Sequence, residues 1–294
     1  MRSEAATIGV TSLNVCCGLT NPLRPVKERA AEFCRRLEQA DMDVVNFQEV
    51  WTPGLLAFLR GRLPSFPFVA LKRGIPGRAA GGVVSFSRLP LRSVGYVSFR
   101  GTRPRAGSPF FRSALAVSAG LQGVLTFELS GRRTVVGNVH LTANRDGDWS
   151  VGNRHEALQR AQLERVHEAL RRARSADTEL AIVGGDFNLP SSSFLYGVVV
   201  DGGMWRDPFA AADAPTFHPE LLPAGAQAHR VDYLLVDGDW ERYPVTATDL
   251  LFGEPVTMPS GGTAFLSDHV AQVVRITLPH DTCRLTTRKP ASRP

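Results

Sequence analysis

Apolar residues along this chain fall into short blocks separated by Gly, Pro, Asp or Arg. Residues 8–15, IGVTSLNV, set Ile, Val and Leu between small polar residues and predict a strand. Residues 25–40 predict a helix, because Pro25 suits a first turn and Ala30, Phe33, Leu37 and Ala40 recur at helical spacing. MDVVNFQEV then reads as a buried strand, and residues 55–63, after Pro53, as a short helix. GGVVSFS, LAVSAG, GVLTFEL and RTVVGNVHL read as four further strands. Residues 153–173 predict the longest helix, with Leu163, Val166 and Leu170 on one face and Arg171, Arg172 and Arg174 at the end the dipole favours. ELAIVGGD, HRVDYLLV and HVAQVVRITL predict three more strands, and residues 202–228, rich in Pro, Ala, Gly and Asp, predict long surface loops. No repeat or linker divides the chain, so strands interleaved with helices predict one α/β domain over residues 1–279.

Composition changes this picture little. With 43% apolar and 21% charged residues, the 294-residue chain has the makeup of a globular protein with a sizeable core. A net charge of +6 permits an anionic substrate without demanding one. Part of the excess lies in residues 280–294, which predict a basic, disordered tail. No apolar run is long enough for a transmembrane helix and no signal-peptide pattern opens the chain, so a cytoplasmic monomer is expected. Cys16, Cys17, Cys34 and Cys283 show no CxxC or zinc spacing and are expected as reduced thiols.

The informative pattern is where the strands end. The first delivers Asn14, VVNFQEV delivers Gln48 and Glu49, VVGNVHL delivers Asn138 and His140, and AIVGGDFN delivers Asp186 and Asn188. HRVDYLLV brings Asp232, and FLSDHV brings Asp268 and His269 before the last strand. Singly, each has an ordinary explanation: a turn for Asn14, a surface position for Glu49, a core histidine for His140, a local ion pair with Arg230 for Asp232. Together they resemble a reaction centre carried on strand ends. Glu49, Asp186, Asp268 and the asparagine oxygens are hard donors suited to Mg²⁺ or Mn²⁺ rather than zinc. His269 beside Asp232 has the makeup of a general-base pair, and His140 can donate to a phosphoryl oxygen as charge builds. The combination implies attack of water on a phosphoester.

The motifs LNV, NFQEV, GGVVSFSR, NVHL, GGDFN, RVDYLLV and SDH, in that order, resemble the endonuclease/exonuclease/phosphatase superfamily of deoxyribonuclease I. QEVW, GGVVSFSRLPL and VHLTAN followed by QRAQLERV are most similar to the neutral sphingomyelinases. The resemblance implies a four-layer α/β sandwich, two central, mostly antiparallel sheets flanked by helices. It implies metal ligation by Asn14 and Glu49, with Asp268 in support. Asp186 and Asn188 would position nucleophile and phosphate, His140 would stabilise the transition state, and Asp232 would orient His269 as base. Arg112 and Asn138 are expected as substrate contacts. The function implied is a Mg²⁺-dependent sphingomyelinase-like phosphodiesterase, with a phosphomonoesterase on a small metabolite or a nuclease as alternatives. RPRAGSPFFRSA, residues 103–114, reads either as a basic-aromatic interfacial loop or as a hairpin loop whose Phe110 and Phe111 enter a strand.

Overall fold

The computed structural model describes residues 6–18, 23–74, 77–200 and 205–279; the expected basic tail, Cys283 and residues 202–204 lie outside these. In chain order the first half comprises β1 (Thr7–Asn14), α1 (Val26–Gln39), β2 (Val44–Gln48), α2 (Pro53–Arg62), β3 (Phe68–Ala70), β4 (Val84–Ser87), β5 (Leu91–Ser98) and α3 (Pro109–Gly120). The second comprises β6 (Gly123–Leu129), β7 (Thr134–His140), α4 (Glu156–Ala173), β8 (Leu180–Asp186), α5 (Phe194–Val200), β9 (Asp232–Asp237), β10 (Val245–Leu251), β11 (Val256–Thr257), β12 (Thr263–Ala264) and β13 (Ala271–Thr277).

Two crossovers organise these elements. β1 runs through α1 into β2, its parallel neighbour, and β7 runs through α4 into β8, likewise parallel. A parallel connection needs such a crossover, and the helix it contains covers one face of the sheet. Every other pairing is antiparallel, giving sheets of order β10-β13-β1-β2-β4-β3 and β5-β6-β7-β8-β9 beside a small β11–β12 ribbon. The first sheet buries Phe47, Phe86 and Val273 against Phe33, Leu37, Leu55 and Leu59 of α1 and α2. The second buries Val135, Val139 and Val183 against Leu163, Val166 and Leu170 of α4. Between the sheets lie Ile8, Val10, Val44, Phe127, Ile182 and Leu234. The result is the expected four layers, helix, sheet, sheet, helix.

One end of the inter-sheet space is polar. Asn46 Nδ2 donates to the Gly137 carbonyl across the gap (3.0 Å), and Ser85 Oγ donates to Asn46 Oδ1 (2.7 Å). Asn138 Nδ2 donates back to the carbonyls of Phe47 and Val84, both at 3.1 Å, and its Oδ1 accepts Gln48 Nε2 at 2.8 Å. All of these side chains are fully buried. A side chain at Gly184 would sit 2.5 Å from Leu234 Cδ2 and 3.3 Å from Asn46 Nδ2, so only glycine lets the sheets approach here.

Two sequence expectations change. LAVSAG is not a strand: it is the C-terminal part of α3, and Phe110 and Phe111 open that helix. Ser108 accepts the Phe111 N–H at 3.2 Å and Pro109 fills the first helical position, a start signal that overrides the apolar run. The true strand at that sheet edge is β5, whose Arg92–Gly95 bulge breaks the alternation a strand pattern relies on. Asn138 is a structural hub, buried between the sheets with its amide committed to backbone, and it does not reach a substrate.

Asn138→Ala is expected to lower stability by roughly 3 kcal/mol, since it removes a buried donor from the carbonyls of Phe47 and Val84 and one of the two acceptors of the Gln48 amide. Urea unfolding followed by tryptophan fluorescence checks this; a loss below about 1 kcal/mol would contradict the pinning role.

Candidate active site

Strand parity assembles the site. Ser12 and Asn14 on β1, Asn46 and Gln48 on β2, Asn138 and His140 on β7, and Gly184 and Asp186 on β8 are two residues apart and share a face. The deeper members lie in the inter-sheet space, where Asn46 and Asn138 bond across the gap and Gly184 admits the close approach. The outer member on β1, β7 and β8 reaches a cleft of about 770 Å³ at the strand ends. Register aligns them across strands: His140 is opposite Asp186, and Asp186 opposite Asp232. Glu49, just past β2, would face the helices by parity, but its φ of 63° turns it back into the cleft. Asn188 has φ 49°, its N–H donates to Asp186 Oδ1 (2.9 Å) and its Nδ2 donates to the Leu141 carbonyl.

The strongest contact is between sheets. His269 Nδ1 lies 2.7 Å from Asp232 Oδ2, and the opposite nitrogen, Nε2, lies 3.9 Å from both Asp186 Oδ2 and Asp268 Oδ1. Thr216 Oγ1 accepts the N–H groups of Val231 and Asp232, and Ser267 Oγ accepts that of His269 while donating to the Asn14 carbonyl. Asn14 Nδ2 donates to Asp186 Oδ2 at 2.9 Å and reaches Glu49 Oε1 at 3.5 Å; Glu49 Oε2 accepts the Cys17 N–H. Arg230 does not pair with Asp232: its guanidinium binds Asp207 and Asp213, leaving Asp232 to the histidine.

These surroundings set the protonation. Burial works against a charged His269, but Asp232, Asp186 and Asp268 outweigh it and hold its pKa well above the usual histidine value. Burial lowers His140, only partly offset by Asp186 at 3.7 Å from its Nε2, so its ring is neutral. Burial raises Asp186 to about 6, against the pull of His269. Burial also raises Glu49, and Asp268 raises it further.

Buried carboxylates crowded this way fit a divalent cation, which would relieve both desolvation and mutual repulsion. Two groupings have the donors. One is Asp186, Asp232 and His269, with ligand atoms within 4.8 Å of one another. The other is Glu49, Asn14 and Asp268 at the cleft floor.

Of the residues expected from sequence, Asn14, Glu49, His140, Asp186, Asn188, Asp268 and His269 line the cleft, and Asp232 stands behind His269. Arg112 does not: it is exposed on α3 and borders a separate notch with Arg103, Pro104 and Pro109. Several supports went unread. Gln159 on α4 donates to the carbonyls of Thr142 and Asn188, and Trp51 lies 5.9 Å from the His140 ring. Arg29, wholly buried, donates to the carbonyls of Val15, Cys16 and Leu266, tying the Asn14 loop to the Asp268 loop. Its place one turn before Phe33, on the apolar face of α1, was the available signal. Cys16, Cys17 and Cys34 form no disulfide among the described residues.

The sequence profile of the Endonuclease/Exonuclease/phosphatase family matches residues 11–269. No curated protein matches the chain. Among solved structures, SmcL is similar with a TM-score of 0.67 and 18% identity, over 92% of this chain and 99% of that one. Humanized TDP2 of D. rerio gives 0.66 at 18% identity, over 92% and 99%. The beta toxin of Staphylococcus aureus gives 0.64 at 16% identity, over 92% and 100%. At these identities the structural likeness carries the fold, while the profile spans the strand-end residues from β1 to His269. The chain belongs to the endonuclease/exonuclease/phosphatase family, whose members are hydrolases acting on phosphoester bonds.

Proposed function

We propose that this chain is a Mg²⁺-dependent phosphodiesterase of sphingomyelinase type that drives water in line onto its substrate's phosphorus. The carrying observation is the line Asp232–His269–Asp186 across the two sheets. His269 Nε2 and Asp186 Oδ2 are 3.9 Å apart, a spacing at which one water bonds both at about 2.8 Å each. Asp232 fixes the ring through Nδ1, leaving Nε2 to accept the water's proton as general base. Asp186, held by Asn14 and the Asn188 N–H, orients the same water. Neutral His140 and the Asn188 amide face the phosphate, and His140 donates a hydrogen bond as negative charge builds on the phosphoryl oxygens.

Of the two cation groupings, Glu49, Asn14 and Asp268 are the better holders, because Asp232 and His269 are already committed to each other. Mn²⁺ shares the same hard-donor preference. A bound divalent ion supplies Lewis-acid charge against the phosphoryl and leaving oxygens.

Cleft chemistry favours a diester over a monoester dianion. The arginines lining it are Arg145 and Arg154, and Arg154 is neutralised by Asp146. Trp51, Phe111, Leu115 and Phe217 give the cleft an apolar part of its lining that suits an amphiphilic leaving group. The deciding experiment is a substrate panel with Mg²⁺: sphingomyelin vesicles, plasmid DNA, phosphomonoesters and bis(p-nitrophenyl) phosphate. Faster turnover of plasmid DNA than of any lipid would replace this reading with a nuclease.

His269→Ala should lower kcat by roughly 10²–10⁴-fold. His269 must lose its proton before it acts, so the wild-type rate should climb with pH beyond neutrality; a rate falling from pH 6 to 8 would contradict the assignment. In thermal melts, Mg²⁺ should raise Tm, and the rise should shrink as pH falls, because protons compete with the ion for Glu49, whose carboxyl pKa is held above the usual range by burial. Glu49→Gln should remove most of the Mg²⁺-dependent rise, and an undiminished rise would move the ion to the other grouping.

A further inference from the structure

α3 stands at the mouth of the cleft and is anchored by one side only. Phe111 packs edge-on against His155 with ring centroids 5.2 Å apart, and the Arg154 guanidinium lies 4.0 Å over the same ring. Ala119 is the helix's one fully buried side chain. The outward face is apolar. Phe110 is 84% exposed, Val117 68% and Leu121, just past the helix, 63%. With exposed Ala114 they fall at positions i, i+4, i+7 and i+11, one continuous stripe along the helix. Ala114 and Leu121 also line the cleft, so the stripe runs directly into the catalytic opening. Val151, in the loop before α4, is 72% exposed. A soluble surface rarely presents such a stripe without a partner.

Charge identifies the partner. Residues 99–121 carry Arg100, Arg103, Arg105 and Arg112 and no acidic residue. All four arginines are exposed, and none stands in an ion pair among the described residues. Self-association through this face would bring two copies of an arginine-rich segment together, because a two-fold contact meets itself. Nucleic acid would match the arginines but would leave Val117 and Leu121 against polar backbone. An apolar stripe on a segment that carries four exposed arginines and no acid has the makeup of an interfacial helix on anionic lipid, although Glu164 and Glu168 of α4 share a notch with Arg103 and Arg105.

We propose that the outer face of α3 docks on an anionic lipid surface and sets the cleft mouth against it. The stripe enters the acyl boundary while the arginines meet the headgroups. This goes beyond the reaction assigned above and does not depend on which phosphoester is cleaved.

The test is co-sedimentation of the full chain in EDTA with vesicles of phosphatidylcholine, with and without phosphatidylserine, so that no turnover contributes. Wild type should sediment with the anionic vesicles. Phe110→Asp with Val117→Asp should weaken binding by at least about tenfold, and Arg103→Gln with Arg105→Gln by a similar factor that vanishes at high salt. None of these residues lines the cleft, so hydrolysis of soluble bis(p-nitrophenyl) phosphate should be unchanged and reports intact folding. Wild type remaining in the supernatant, or variants sedimenting equally, overturns the proposal. A dimer in solution that Val117→Asp dissociates, without vesicle binding, overturns it in favour of a second copy. Vesicle binding by an enzyme that cleaves none of the diesters supports the docking surface while sinking the reaction proposed above.

Discussion

The buried amide network between the two sheets is the constraint on which the site depends. Half of the cleft comes from one sheet, through Asn14, Glu49 and the His269 loop; the other half, through His140, Asp186 and Asp232, comes from the second. Apolar packing alone would let two twisted sheets slide. Asn46, Gln48, Ser85 and Asn138 bond across the gap to specific carbonyls and amides, so a shift of one residue would leave several buried groups without partners. At the outer end of the same interface, Asp232–His269 and Asn14–Asp186 continue the cross-sheet bonding. Chemistry and docking of the layers thus use one row of side chains at two depths.

Burial does two opposite things within that row. It strips charge from His140, which has no close carboxylate bond, and it fails to do so at His269, which is ringed by Asp232, Asp186 and Asp268. Two histidines at similar depth are therefore placed in different protonation states by their carboxylate neighbours. Burial raises Glu49 and Asp186 even with His269 charged beside them, and a cation would relieve that strain. That is the physical case for a cation here, independent of the motifs.

Legibility followed the period of the signal. Strands such as β6 and β8, with uninterrupted apolar runs, were readable, as was the face on which Asn14, His140 and Asp186 lie. Depth was not: Asn138 and His140 look equivalent in sequence, yet the facing strands β2 and β4 cover one and stop short of the other. Arg112 was misplaced because its segment, read as leading into a strand, is a capped helix that turns Phe111 to the cleft and Arg112 away from it. Glu49 reaches the cleft only through a positive φ, which strand alternation cannot anticipate.

Sequence by itself determined the family, the reaction class and the residue types of the site, because these reside in short motifs whose chemistry is local: a carboxylate, an imidazole, a glycine that admits close approach. The pairing of Asp232 with His269 was legible in the motifs; the tertiary structure alone decided that Arg230 does not compete for Asp232, because Asp207 and Asp213 of the preceding loop draw its guanidinium away. It also decided what surrounds the cleft. A helix presenting Phe110 and Val117 to the outside is a matter of which face finds a partner within the fold, and that is settled only when the layers close.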